Sequence, residues 1–148
     1  MTEKNRAVLG VDLSRAGIDA AAKFAKQNAT EAAFAVGSIF SLPVADATCD
    51  PRFVAADLLS QAEHDKMASA VLVTDSMEFA NAVSAELERQ IPLLPRAEIA
   101  RASIDNNGKI IVAKDNLMLA IDIANEIAPE HLELCVDNPF DYLDKIKH

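Results

Sequence analysis

SAVLVTDSMEFANAVSAELERQ, residues 69–90, carries the signature that decides the fold. Six apolar or small residues in a row, Ser69 to Thr74, read as a buried strand, and Ser76 then stands where a helix over 77–90 needs its N-cap. A strand handed directly to a helix is one half of a crossover unit, and the rest of the chain repeats it. Downstream, the two prolines of IPLLPRAEIARAS break that helix and start another at Pro95. Asn106-Asn107-Gly108 then reads as a turn before the strand KIIVAK (109–114). Asp115 is expected to cap the helix NLMLAIDIANEI, which stops near Pro129; HLELCV (131–136) is the last strand, and Asn138-Pro139 opens a short terminal helix. Upstream, Asp50-Pro51 starts a helix through His64, with the aspartate as N-cap and the proline at the first helical position. RAVLGVDL (6–13) reads as a strand followed by a helix opened by Ser14, and AAFAVGSIFSL (32–42) as a buried strand bent at Gly37. Pro43, which has no donor for a ladder, argues against a central position for the later part of that run. Strands joined by helical crossovers imply a mostly parallel sheet covered on both faces. The expectation is a single three-layer, doubly wound α/β domain over residues 1–148 with about five strands.

Composition narrows the partners. With 51% hydrophobic residues and 5% aromatics, the core is built from Ala, Val, Leu and Ile. A net charge of −9 argues against nucleic acid, whose phosphates need excess Lys and Arg. No apolar run approaches the roughly 18–20 residues of a membrane span. The start, MTEKNRAVLG, lacks the apolar core of a signal peptide, and the two cysteines, Cys49 and Cys135, lack C-x-x-C spacing. They are expected as reduced thiols of a cytoplasmic protein rather than as a metal site.

Phosphate loops are missing: the four glycines, at 10, 17, 37 and 108, form neither G-x-G-x-x-G nor G-K-[ST], and no G-x-S-x-G elbow occurs. Two polar clusters remain. Gln61 and His64 lie three positions apart near the end of a predicted helix, so both could face one metal ion. Read without further context, QAEHD is a solvated helix end with a histidine near the favourable pole of the dipole. Glu130 and His131 follow the helix-ending Pro129. A carboxylate beside an imidazole can divide acid and base duties, but strand neighbours point to opposite sides, so the pair converges only if it sits in the turn before the strand.

The two clusters gain weight together. DPRFVAADLLSQAEHDKMASAVLVTDS (50–76), PRAEIARASIDNNGKIIVAKD (95–115) and ANEIAPEHLEL (124–134) closely resemble histidinol dehydrogenase, the zinc- and NAD-dependent family that oxidises an amino alcohol, histidinol, through an aldehyde to histidine. The resemblance runs from about Val44 to the end, a half-domain, whereas residues 1–36 match nothing recognisable and 1–43 stand as a separate β-α-β segment. It implies that Gln61 and His64 correspond to zinc ligands, and that Glu130 and His131 correspond to the acid/base pair.

Departures from the family pattern are as informative. GSIFSLPV (37–44) replaces the usual G-P-S-E-V-L-V, removing a Ser and a Glu at the site edge. No counterpart is found for the family's further Asp ligand, for the zinc His supplied across a dimer interface, or for the G-P-G-N loop of the nucleotide-associated domain. Two protein ligands leave zinc weakly held, and NAD is expected not to bind. The expectation is therefore a catalytically silent folded fragment or an engineered chimeric scaffold. The alternatives are an active or complementable zinc-dependent histidinol dehydrogenase, and a small-molecule or metal-binding module. The resemblance also implies a homodimer, through surface that missing segments leave exposed.

Overall fold

The computed structural model describes the backbone of residues 8–12, 32–36 and 39–147, and the side chains of 41–147. In chain order these form β1 (Val8–Asp12), β2 (Ala32–Val36), β3 (Ile39–Ala45), α1 (Pro51–Ala62), β4 (Ser69–Thr74) and α2 (Met77–Gln90). A 3₁₀ turn (Ile91–Leu93), α3 (Ala97–Asn107), β5 (Lys109–Val112), α4 (Leu117–Ile127), β6 (His131–Cys135) and a 3₁₀ helix (Pro139–Lys145) follow. The helix expected after Ser14 lies outside the described residues.

β4 is buried along its whole length, as its sequence predicts. It occupies the interior of a four-stranded sheet of order β5-β4-β3-β6, while β1 and β2 pair with each other in a two-stranded sheet. Every pairing is parallel. The run 32–42, expected as one bent strand, is split between the two sheets, so six strands replace the expected five.

Alternate strand residues point to opposite faces, and both faces are covered. One core joins Ala45, Ala70 and Leu72 of the sheet to Val54, Leu58 and Leu59 of α1, to Phe79, Val83 and Leu87 of α2 and to Ala100 of α3. The other joins Leu42, Val44, Val71, Val73 and Ile111 to Ala120, Ile121 and Ala124 of α4. Helix, sheet, helix: the three layers are present. No helix among the described residues is long and apolar enough to cross a membrane.

Local signals placed the starts of two of the four described α-helices. Asp50 caps α1 by accepting from the Arg52 N–H at 2.9 Å, and Ser76 caps α2 by accepting from the Phe79 N–H at 3.2 Å. Four readings need correction. The cap of α4 is Asn116, whose side chain accepts from the Leu119 N–H at 2.9 Å; Asp115 instead takes a left-handed turn at φ 53°. Helix α3 starts at Ala97 rather than at Pro95, with no side-chain cap. It also runs through Asn106 and Asn107, which were expected in a turn. The Asn107 amide donates to the Lys66 carbonyl at 2.9 Å, away from the helix backbone, and the Asn106 amide bonds back to the Ala102 carbonyl one turn earlier in α3, at 2.8 Å.

Pro43 is the fourth. It lies fully buried in β3, between β4 and β6. The ladder to β6 is continuous from Ser41 to Ala45. The ladder to β4 is irregular between Ile39 and Ser41 and skips Leu42 and Pro43 before resuming at Val44. A missing donor is tolerated where the ladder is already interrupted.

Candidate functional site

α1 begins at the carboxyl end of β3 and runs back along the sheet, so its last turn reaches the rim from which β4 starts. Gln61 sits in that last turn, half-buried. The helix ends at Ala62, two residues before the expected His64. His64 is therefore in the following turn, exposed, with its N–H donating to the Gln61 carbonyl at 3.1 Å. The shared helix face is replaced by a tight turn that still holds the two residues at one rim.

β6 begins at that same rim with His131. Its register pairs Ser41 with His131, Pro43 with Glu133 and Ala45 with Cys135. Since Ala45 packs beneath α1, His131, Glu133 and Cys135 share the face toward α1. Leu132 and Leu134 pack into the opposite core. Glu130 precedes the strand, which permits the convergence that neighbouring strand residues would lack. Its Oε1 lies 3.9 Å from Nε2 of His131, within ion-pair reach but longer than a hydrogen bond. Both side chains stand in solvent, at 58% and 62% exposure respectively. Ser41, in register with His131, is buried with its hydroxyl unpartnered among the described residues.

Farther along the same face lies a cluster that the motifs do not mark. Ligand atoms of Asp57, Glu133 and Cys135 all fall within 4.8 Å of one another, and all three residues are half-buried. Burial raises the Glu133 carboxyl, and the neighbouring Asp57 carboxylate raises it further. Burial also pushes the Cys135 thiol up from 9.0 to about 12, helped by Cys49, Glu133 and Asp57. Cys49 is raised by burial too, with the Cys135 thiol among its neighbours. Alternation in β6 and the four-residue step from Asp57 to Gln61 were the available sequence signals; both needed the β3–β6 pairing to acquire meaning.

Because the folded chain holds the Cys135 proton more tightly than the unfolded one does, its contribution to stability is complete below pH 9.0 and is lost as pH rises toward about 12. Urea midpoints measured across that window should fall with pH, and Cys135→Ser should flatten the decline.

The family's zinc and NAD find only part of a site in these residues. Among the described residues, the one His/Cys/Asp/Glu group of three close enough to hold a metal is Asp57, Glu133 and Cys135, which excludes His64. Gln61 and His64 supply one amide oxygen and one imidazole, short of a closed four-ligand set. No glycine-rich loop cradles a dinucleotide. Gln61, His64, Glu130 and His131 therefore complete a site for neither group.

Comparison with known proteins places this arrangement. The family model described as histidinol dehydrogenase matches residues 19–148, so the match includes residues 19–36, which the motifs alone left unmatched. The histidinol dehydrogenase of Caldanaerobacter subterraneus subsp. tengcongensis is 59% identical over 105 residues, 71% of this chain and 24% of that protein. The histidinol dehydrogenase of Streptococcus mutans serotype c is 52% identical over 105 residues, with the same coverage of 71% and 24%. The chain thus spans about a quarter of the length of these relatives. The crystal structure of histidinol dehydrogenase from Elizabethkingia anophelis superposes with a TM-score of 0.69 at 34% identity, covering 95% of this chain and 32% of that one. Matched by the family model over most of its length and superposed on a solved histidinol dehydrogenase, this chain belongs to the histidinol dehydrogenase family.

Proposed function

We propose that this chain is a folded portion of a histidinol dehydrogenase that is catalytically silent by itself. The observation that carries the reading is the openness of the Glu130–His131 pair. General acid–base work requires groups within hydrogen-bond reach of the reacting atoms, in a cavity that excludes water. Here the pair stands on a solvent-exposed rim with its partner atoms 3.9 Å apart. Gln61 and His64 provide two donors toward a metal, which leaves the rest of its shell to water and lowers its affinity. GSIFSLPV (37–44), standing where the family reads G-P-S-E-V-L-V, lacks that Ser and Glu and so removes two further polar groups from the site edge.

The test is direct. Purified chain at high concentration, given histidinol, NAD and zinc, should produce NADH no faster than buffer does, and His131→Ala should leave that background unchanged. A protein-dependent rate that the substitution abolishes would overturn the proposal.

One observation favours a second reading, in which a complementing chain restores turnover. Gln61, His64 and His131 all stand at the amino-end rim of the sheet beneath the end of α1. A partner bringing the missing donors would find these three placed together. Activity that appears only on mixing with such a chain, and is lost in His64→Ala, would establish it.

A further inference from the structure

We propose that Cys49, Asp57, Glu133 and Cys135 form a binding site for a thiophilic divalent cation of the zinc type, separate from Gln61 and His64. The four groups come from two elements that the fold holds side by side. Cys49 lies in the turn leading into α1 and Asp57 lies within that helix, while Glu133 and Cys135 occupy alternate positions of β6, on the face toward α1. Donor atoms of Asp57, Glu133 and Cys135 already fall within 4.8 Å of one another. A tetrahedral zinc with bonds of roughly 2.0–2.3 Å spans donor pairs about 3.5 Å apart, so a small inward shift of flexible side chains closes the set. The Cys49 thiol neighbours that of Cys135 but lies outside the group of three, so it joins as the fourth donor, a second sulfur, only when the turn that carries it moves inward.

Charge supplies the independent reason. Two carboxylates and two thiols meet in a half-buried place, and none of the ion pairs among the described residues brings a lysine or arginine to Asp57 or Glu133. The one nearby basic group, the His131 imidazole, offsets the repulsion at Glu133 only in part, since that carboxyl is raised overall. The gathered acidic groups repel one another once ionised, and a divalent cation removes that repulsion as each bound thiol gives its proton to solvent. The mixed sulfur and oxygen donors select zinc, cadmium or cobalt over magnesium and calcium, which take oxygen alone. The backbone reinforces the site: the Asp46 N–H donates to the Cys135 carbonyl at 3.3 Å, and the Cys49 N–H to the Asp46 carbonyl at 3.4 Å, tying the Cys49 turn to the end of β6.

Cobalt(II) titration of the reduced full chain tests this, because cobalt reports its ligands by colour. The expected result is a thiolate-to-cobalt charge-transfer band and tetrahedral visible bands that saturate near one equivalent and vanish when zinc is added. Cys49→Ser combined with Cys135→Ser should remove the charge-transfer band. Asp57→Asn and Glu133→Gln, which keep both thiols and nearly the same shape, should each weaken apparent affinity by roughly tenfold or more. His64→Ala should leave the charge-transfer band in place, because an imidazole contributes no thiolate-to-cobalt transition. Circular dichroism of each variant confirms that it is folded. The assignment is overturned if no charge-transfer band forms at one equivalent. It is equally overturned if the two carboxamide variants titrate like the parent chain, or if His64→Ala abolishes the signal.

Discussion

Leu72→Ala is expected to lower unfolding stability by about 2–5 kcal/mol, the range for truncating a large aliphatic side chain in a closed core. Leu72 is fully buried at the middle of β4. It belongs to the core shared with Leu58, Leu59, Val83 and Leu87, where α1 and α2 pack on the sheet. The cavity would open beneath two helices at once, and β4 is flanked by β5 and β3, so neither neighbour can move inward without breaking its own ladder. A urea titration gives the midpoint shift. A loss below about 1 kcal/mol would mean that the α1–α2 layer is looser than its burial indicates.

Gly108→Ala should come next in size, at about 1–3 kcal/mol, the usual penalty for forcing a methyl into packed surroundings. Its φ of −64° suits any residue, so backbone strain is not the reason. Space is. A Cβ built there would lie 2.7 Å from the Ile104 carbonyl oxygen and 3.0 Å from the Ile104 Cα, both backbone atoms of α3. The glycine N–H also closes that helix by donating to the Ser103 and Ile104 carbonyls, at 3.1 Å each. Relief of the clash must pull α3 away from β5, and the same urea experiment should show it. A substitution without effect would mean that the α3–β5 junction is slack.

These two positions also show what could be read in the sequence. The buried run around Leu72 and the Ser76 cap are local signals, and both proved sufficient to place β4 and α2. The sequence around Gly108 looked like a turn because Asn-Asn-Gly is turn chemistry. It is helical up to Asn107 because that side chain finds the Lys66 carbonyl, 41 residues away in sequence. Pro43 could not be placed for a similar reason: its tolerance in a central strand depends on a gap in the β3–β4 ladder.

The site divides in the same way. Gln61, His64, Glu130 and His131 could be singled out by motif, although the helix was expected to reach His64 and stops at Ala62. Asp57, Glu133 and Cys135 form no motif. They meet because β6 pairs with β3, placing Cys135 opposite Ala45 beneath α1. Cysteines lacking C-x-x-C spacing gave no hint that they would become neighbours.

The layers hold themselves together by apolar burial, independently of substrate and dinucleotide. Calorimetric unfolding of the chain with and without saturating histidinol and NAD tests it in one measurement, because any ligand that binds the folded state alone must raise its melting temperature. A single cooperative transition at the same temperature in both samples is predicted. Absence of a cooperative transition, or a melting temperature raised by several degrees when both ligands are present, would contradict it.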